Sequence, residues 1–266
     1  MEIDRSSALL TGATGGLGRA IAAELAGAGA TLILSARRRD ALDELAAGLP
    51  GGPHRVIASD LNEDGAAEAL TAQAGEFDLL VANAGIGGGT AIEQNSASAI
   101  RRVSRVNFEV PILLATAARE QMLGRGSGHI VLISSLAAKA IPIGSSLYAA
   151  TKAGLRVFAL GLRADLHDTG VGVSSINPGF VRGAGMFHDS GAKPPPGIGT
   201  ATPEQVARAV RQAVERDRGD VDVAPAQQRA FVNFSHHFHR VGKRLERAAG
   251  AREPAERVAA GPGEEA

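Results

Sequence analysis

Apolar residues fall along this chain in two alternating patterns, and the alternation predicts its architecture. Short apolar runs bounded by glycine or polar residues occur at Ser7–Leu10, Thr31–Ser35, Arg55–Ser59, Phe77–Ala82, Gly128–Ser134, Val171–Ile176 and Asp220–Val223, each about the length of a strand. Between them lie longer stretches with apolar residues at helical spacing, including one that holds Ile21 and Leu25, then Ser145–Gly170 and Val206–Val214. Ala97–Met122 has the same character but is interrupted by Asn107 and Pro111, so a bend is expected there. Asparagine in mid-helix calls for a reason, either a bound water or a side-chain bond to a neighbouring strand.

Strand, helix, strand, helix implies an α/β fold: a Rossmann-like, doubly wound parallel sheet of about seven strands with helices on both faces, followed by a C-terminal helical extension. Ligands in such sheets sit beyond the carboxyl ends of the strands, and the chain places its polar residues there. The first strand runs into Thr11-Gly12-Ala13-Thr14-Gly15-Gly16-Leu17-Gly18 at the start of a helix. Glycines let backbone approach a pyrophosphate, and free N–H groups at the helix start attract its charge. The second strand ends at Ala36-Arg37-Arg38-Arg39. Arginine where an acid would bind the ribose hydroxyls suits a 2′-phosphate, so NADP(H) is favoured over NAD(H). The third strand ends at Asp60-Leu61, where the acid can accept from an adenine amino group, and the fourth at Asn83-Ala84-Gly85, where backbone can pass under a cofactor. Alone, each of these is an ordinary turn residue.

Three side chains beyond the fifth strand, Ser135, Tyr148 and Lys152, could together move a proton onto or off a carbonyl oxygen. Tyr148 and Lys152 are four apart, so one helix puts both on one face. A free tyrosine titrates near 10 and is a poor base at neutral pH. An ammonium about 5 Å away at an effective dielectric of about 20 contributes roughly 3 kcal/mol, enough to lower that value by about two units.

Composition narrows the field. The 266 residues carry 28 basic and 28 acidic side chains, so nothing global points to nucleic acid. There is no cysteine, which excludes disulfides and thiol chemistry. Met1–Ser7 lacks the basic start of a signal peptide, and no apolar run approaches the roughly 20 residues that span a bilayer. A cytoplasmic location is expected.

Taken in order, Thr11-Gly12-x-x-x-Gly16-x-Gly18, Asp60, Asn83-Ala84-Gly85, Asn107, Ser135, Tyr148-x-x-x-Lys152 and Pro178-Gly179 resemble the short-chain dehydrogenase/reductase family of the single-domain type, over roughly Leu9 to Val223. The resemblance implies that Tyr148 is the general acid/base and that Ser135 hydrogen-bonds the substrate oxygen. It implies that Lys152 holds the nicotinamide ribose and lowers the tyrosine pKa, and that Asn107 anchors a water in the proton relay. With these, the residues expected to hold the cofactor are Gly12, Thr14, Gly16, Leu17, Gly18, Arg37, Asp60, Leu61, Asn83, Ala84, Gly85, Tyr148, Lys152, Pro178, Gly179 and Val181. No metal site is expected. Family members are commonly dimers or tetramers built on two long helices, so a homodimer or homotetramer is implied. The chain departs from the family at Gly183, where a hydroxyl often meets the nicotinamide carboxamide; Thr202 and Ser190 are other hydroxyls downstream.

Residues 1–224 are read as the dinucleotide-binding and catalytic domain, and residues 225–266 as an amphipathic helix with a disordered tail from Ala251. Phe231, Phe234, Phe238, Val241 and Leu245 share one face of that helix, amid Arg240, Lys243, Arg244 and Arg247. It is expected to dock on its own domain or a sister subunit, with peripheral membrane contact as the alternative. His236, His237 and His239 have no carboxylate beside them, so a solvated face is expected there, not a metal site. Loops holding Ile86, Leu136, Ile141, Ile143, Met186 and Phe187 suggest an apolar alcohol or ketone, and Pro194–Gly197 a stiff lid. The leading expectation is an NADP(H)-dependent alcohol dehydrogenase or carbonyl reductase. A β-ketoacyl-carrier-protein reductase, docking through Arg119 and Arg125, and a non-catalytic NADP-binding sensor or scaffold stand as alternatives.

Overall fold

The structure is a computed structural model that describes residues 1–87, 96–140, 142, 144–189, 194 and 198–237. Its strands are β1 (Ser7–Thr11), β2 (Thr31–Ala36), β3 (Arg55–Ala58), β4 (Leu79–Ala82), β5 (Gly128–Ile133), β6 (Val171–Pro178) and β7 (Asp220–Val223). They form one sheet in the order β3-β2-β1-β4-β5-β6-β7, parallel throughout. The helices are α1 (Gly16–Gly27), α2 (Arg39–Gly48), α3 (Ala66–Ala74), α4 (Ala97–Ser104), α5 (Val110–Arg125), α6 (Ala137–Ala140), α7 (Ser146–Asp165), α8 (Met186–Asp189), α9 (Pro203–Glu215) and α10 (Ala226–His237).

Alternate strand residues face opposite sides of the sheet, which gives two cores. Leu10, Leu32, Leu34, Leu79, Val131 and Ile176 pack under α1, α2 and α9. Leu9, Ile33, Leu80, Ile130, Leu132 and Val173 pack under α3, α5 and α7. The strand order reverses between β1 and β4, which opens a crevice at their carboxyl ends.

The bend expected near Asn107 is a π-helical turn, Arg105–Glu109, that joins α4 to α5 without a break. It resets the backbone ladder just ahead of Pro111, whose missing N–H then falls in the first turn of α5. β4 begins two residues later than the apolar run suggested, because Phe77 spends its N–H on Gln121 Oε1 at 3.2 Å and its carbonyl on Arg125.

The edge strand β7 is fastened by charge. Lys139 Nζ donates to Asp222 Oδ1 at 2.6 Å and Asp220 Oδ2 at 3.3 Å, and Asn177 Nδ2 donates to both carboxylates. Burial pushes the Asp220 carboxyl up, but Arg156, Asn177 and Lys139 together hold it below its usual range. At the other end of the sheet Arg125 is engaged with Phe77 O, Glu76 and Asp78. That corrects its reading as a docking residue near the strand carboxyl ends.

The helix beyond the sheet docks on its own domain, but not by the face the sequence suggested. Val232 packs against Leu136, Ala140 and Ala224, and Gln228 and Ser235 are buried beside it, while Phe234 is 40% exposed. Small residues in α6 accept a slender helix face more closely than a phenylalanine stripe would allow. Phe238, Val241, Leu245, the basic residues from Arg240 onward, His239 and the tail from Ala251 lie outside the described residues.

His129 is 1% exposed near the start of β5; its Nε2 lies 2.8 Å from Ser174 Oγ, which donates to Arg218 O at 2.6 Å. Burial lowers its pKa from 6.5 to about 4, against the opposing pull of Asp217. The unfolded chain therefore binds this proton first as pH falls, and stability is lost between 6.5 and about 4. The cost is about 3 kcal/mol. Urea midpoints across that window should fall more steeply for the native chain than for His129→Gln; parallel profiles would assign the acid sensitivity elsewhere.

Candidate active site

β1 ends in Thr11, and Gly12 turns the chain with φ +64°. A methyl group on Gly12 would meet Ala84 Cα at 2.9 Å, and one on Gly18 would meet Gly12 O, so both positions require glycine. Asn83 reaches across from β4: its Nδ2 donates to Thr11 O at 3.1 Å and Gly12 O at 3.2 Å. Thr11 Oγ1 in turn accepts the N–H groups of Asn83 and Ala84, both at 3.1 Å. Asn83 thus buttresses the glycine turn from the side. The role of Thr11 was missed; the signal was a hydroxyl ending an otherwise apolar strand.

α1 starts at Gly16 after Gly15, with no side-chain cap and no acid in its first turn. Its first N–H groups are left for an anion. Thr14 O accepts from Arg19 Nε at 3.1 Å. Leu17 is half-buried, and Ala184 after β6 comes against Gly16. Arg37 is exposed at the end of β2, and no hydrogen bond or ion pair engages it among the described residues. Asp60 is exposed and accepts from Asn62 N at 2.9 Å, a local turn, with Leu61 buried behind it.

The second half of the site hangs on α7. Ser134 Oγ donates to Lys152 O at 2.8 Å and Lys152 Nζ donates to Ile133 O at 2.9 Å, which fastens the helix twice to the end of β5. Lys152 is 3% exposed, its Nζ 5.9 Å from the centre of the Tyr148 ring. The Ser135 side chain lies beside the Tyr148 hydroxyl, close enough to pull its pKa down, so the structure brings the three together. Ser135 Oγ accepts from Ala137 N at 3.1 Å and lies 3.5 Å from Pro178 O.

Asn107 is fully buried. Its Oδ1 accepts from Ile86 N and its Nδ2 donates to Ile86 O, both at 2.8 Å, with Thr151 Oγ1 at 3.4 Å. The partner is the loop after β4, not a strand. Gly85 lies between the groups: a methyl there would be 3.3 Å from Lys152 Nζ and 3.4 Å from Asn107 Oδ1. Thr151, which also donates to Tyr148 O at 2.8 Å, was not anticipated.

The ionisation differs from expectation. Burial raises the pKa of Tyr148 and outweighs the hydrogen bond from Ser135, so the lowering by about two units is not found in this state. Burial also pushes Lys152 from 10.5 down to about 8. The sequence argument placed the pair in a medium of effective dielectric about 20 and left out desolvation.

After β6, Pro178 is buried, Gly179 half-buried, and Val181 pairs with Ala201. Thr202 does not stand in for the hydroxyl absent at Gly183, since it caps α9 in a reciprocal box with Gln205. Ser190, Ile141, Ile143 and Pro195–Gly197 lie outside the described residues. Phe187 packs on Phe180 with ring centres 4.6 Å apart, and Leu136 is buried next to Ser135.

Residues 6–195 match the family model for short chain dehydrogenase. The chain is similar to ketoacyl reductase HetN of Nostoc sp., 35% identical over 81% of this chain and 77% of that protein. Among solved structures it is similar to a short chain dehydrogenase/reductase family protein, with TM-score 0.77 and 30% identity over 84% of this chain and 98% of that one. The closed form of serine dehydrogenase complexed with NADP+ superposes with TM-score 0.74 and 30% identity, over 83% and 95%.

Tyr148 is the only tyrosine and there is no tryptophan, so tyrosinate absorbance reports on one site. In the cofactor-free protein its midpoint should lie above 10.0. Since the unfolded chain ionises first, stability should also decline as pH rises past that value. A midpoint below it would show that Lys152 outweighs burial.

Proposed function

The chain belongs to the short-chain dehydrogenase/reductase family, enzymes that act on CH–OH and C=O groups with NAD(P), and from that premise we propose that it is an NADP(H)-preferring carbonyl reductase or alcohol dehydrogenase for apolar substrates. The observation that carries the reading is the convergence of Tyr148, Ser135 and Lys152 at the carboxyl end of β5.

The residues fit a dinucleotide. Gly12, Gly16 and Gly18, with Thr14 and Leu17, form the cradle at the uncapped start of α1 for a pyrophosphate. Arg37, without a partner among the described residues, would pair with a 2′-phosphate, and Asp60 and Leu61 would flank the adenine. Asn83, Ala84 and Gly85 would line the crevice beneath the cofactor, and Pro178, Gly179 and Val181 the nicotinamide end. Lys152 Nζ makes a single hydrogen bond among the described residues, leaving two of its three donors for ribose hydroxyls. When bound, the cofactor supplies the hydride and, in its oxidised form, a positive charge near the phenol.

The chain's own part is proton handling. Ser135 would donate to the substrate oxygen and fix it beside the phenol of Tyr148. With its pKa raised, that phenol is protonated at neutral pH, which suits giving a proton to an oxygen that is gaining negative charge. Lys152, at about 8, is still mostly charged at neutral pH and would stabilise the phenolate left behind. Asn107 would act by holding Ile86, so that the π turn keeps its backbone in place for a relay water.

Leu136, Met186 and Phe187 support an apolar substrate. Likeness to a ketoacyl reductase supports β-ketoacyl thioesters as the second reading. Leu113 on α5 and Val157 on α7, 38% and 64% exposed, support assembly through those helices into a dimer or tetramer. Among the described residues no helix is long and apolar enough to cross a membrane; a cytoplasmic location is proposed, with peripheral membrane contact resting on the basic residues beyond α10.

Tyr148→Phe should retain NADPH binding by fluorescence titration and lose on the order of a thousandfold in kcat; near-normal turnover would overturn the assignment. Arg37→Ala should raise KM for NADPH by about tenfold and leave that for NADH within about twofold. Equal effects on the two cofactors would remove the preference for NADP(H).

A further inference from the structure

Resting on the carbonyl-reductase reading, we propose that Gln228 on α10 recognises a hydrogen-bond donor, a hydroxyl or an amine, on the substrate next to the carbon that reacts. Gln228 is 5% exposed, yet its Oε1 is buried with no hydrogen-bond partner among the described residues. A carbonyl oxygen in that condition costs about 1–3 kcal/mol. The amide lies flat on Gly179, where a methyl group would come within 2.4 Å of Oε1, 2.7 Å of Cδ and 2.8 Å of Nε2. The neighbouring carbonyl, Pro178 O, accepts from Leu136 N at 2.9 Å and lies 3.5 Å from Ser135 Oγ. Gln228 therefore borders the peptide that backs Ser135.

A second observation points the same way. Gln228, Val232 and Ser235 recur at helical spacing and form the buried stripe of α10. Ser235 Oγ is also buried without a partner among the described residues. Val232 between them packs on Leu136 and Ala140 with Ala224, an apolar cluster. A helix that served only to close the domain would present apolar residues there. This one carries an acceptor at the end nearer Pro178, in surroundings where an unmet acceptor discriminates strongly between a ligand with a matching donor and one without.

The test compares acetophenone with α-hydroxyacetophenone as substrates with NADPH, in the native chain, Gln228→Met and Gln228→Glu. The native chain should favour the hydroxy ketone by about tenfold or more in kcat/KM. Gln228→Met, close in size but apolar, should erase most of that ratio, whereas Gln228→Glu, which keeps an acceptor, should retain it. An unchanged ratio in Gln228→Met would overturn the proposal and assign Gln228 to packing or to a buried water. The thermal shift with NADP+ present, for styrene glycol against α-methylbenzyl alcohol, gives a readout independent of turnover. If the native chain reduces neither ketone, the carbonyl-reductase reading fails. The recognition then stands only if the glycol alone raises the melting temperature and Gln228→Met abolishes that rise.

Discussion

The mouth of the sheet is held in place by the paired hydrogen bonds between α7 and the end of β5, one from Ser134 to the Lys152 carbonyl and one from the Lys152 ammonium to the Ile133 carbonyl. Together they fix both the axial position and the rotation of α7, and with them everything one turn earlier. Tyr148 is placed by that rotation because it sits four residues before Lys152 on the same face. A slip of one residue would swing the phenol by about 100° around the helix axis and part it from Ser135. Asn107 performs a similar service for the loop after β4, and the π turn is the backbone's way of bringing that amide inward without breaking the helix.

Burial is the second constraint, and it acts against the charge that the chemistry uses. Desolvation raises the phenol and lowers the ammonium, so each group is moved toward its neutral form. The two shifts differ in their consequence at neutral pH. Lys152 at about 8 remains mostly protonated, while Tyr148 remains a phenol. The pair therefore rests as donor and cation, the state a carbonyl oxygen needs on arrival. The reverse reaction must first remove the phenolic proton, and a positive charge brought in with an oxidised cofactor acts in that direction.

The sheet was legible because its signal is repetitive: seven apolar runs separated by helical spacing leave few topologies for a parallel α/β chain. The glycine turn and the Ser135, Tyr148, Lys152 set were legible because those residue types are tied to their positions by sterics or by helical geometry. Interactions made by the backbone of another element were not. Nothing in the sequence shows that Asn83 would grip Thr11 and Gly12, or that Asn107 would be spent on Ile86, because both depend on how two loops approach. The face of α10 was misread for a related reason. Periodicity marks a phenylalanine stripe, but the space above α6 decides which face fits, and it accepts Gln228, Val232 and Ser235. The pKa argument left out desolvation, which raises the Tyr148 phenol in the cofactor-free protein.

The two halves of the site are finished to different degrees, and the contrast bears on which ligand each receives. Around Tyr148 and Asn107 the polar groups are largely matched within the protein, as a preorganised reaction centre requires. At the opposite side of the crevice the positive features are left unmatched: α1 begins without a cap or an acid, and Arg37 has no partner among the described residues. The uncapped N–H groups are a cost the fold could have removed with one serine, and the solvated guanidinium is a charge it could have paired with one glutamate. They are tolerable if an anion supplies the missing partner whenever the protein is at work. A phosphate-bearing ligand does so at both places at once, since pyrophosphate and 2′-phosphate are carried on one molecule. The same reasoning separates the Gln228 amide from both, because the group left unmatched there among the described residues is a neutral acceptor, which selects for a donor and against an anion.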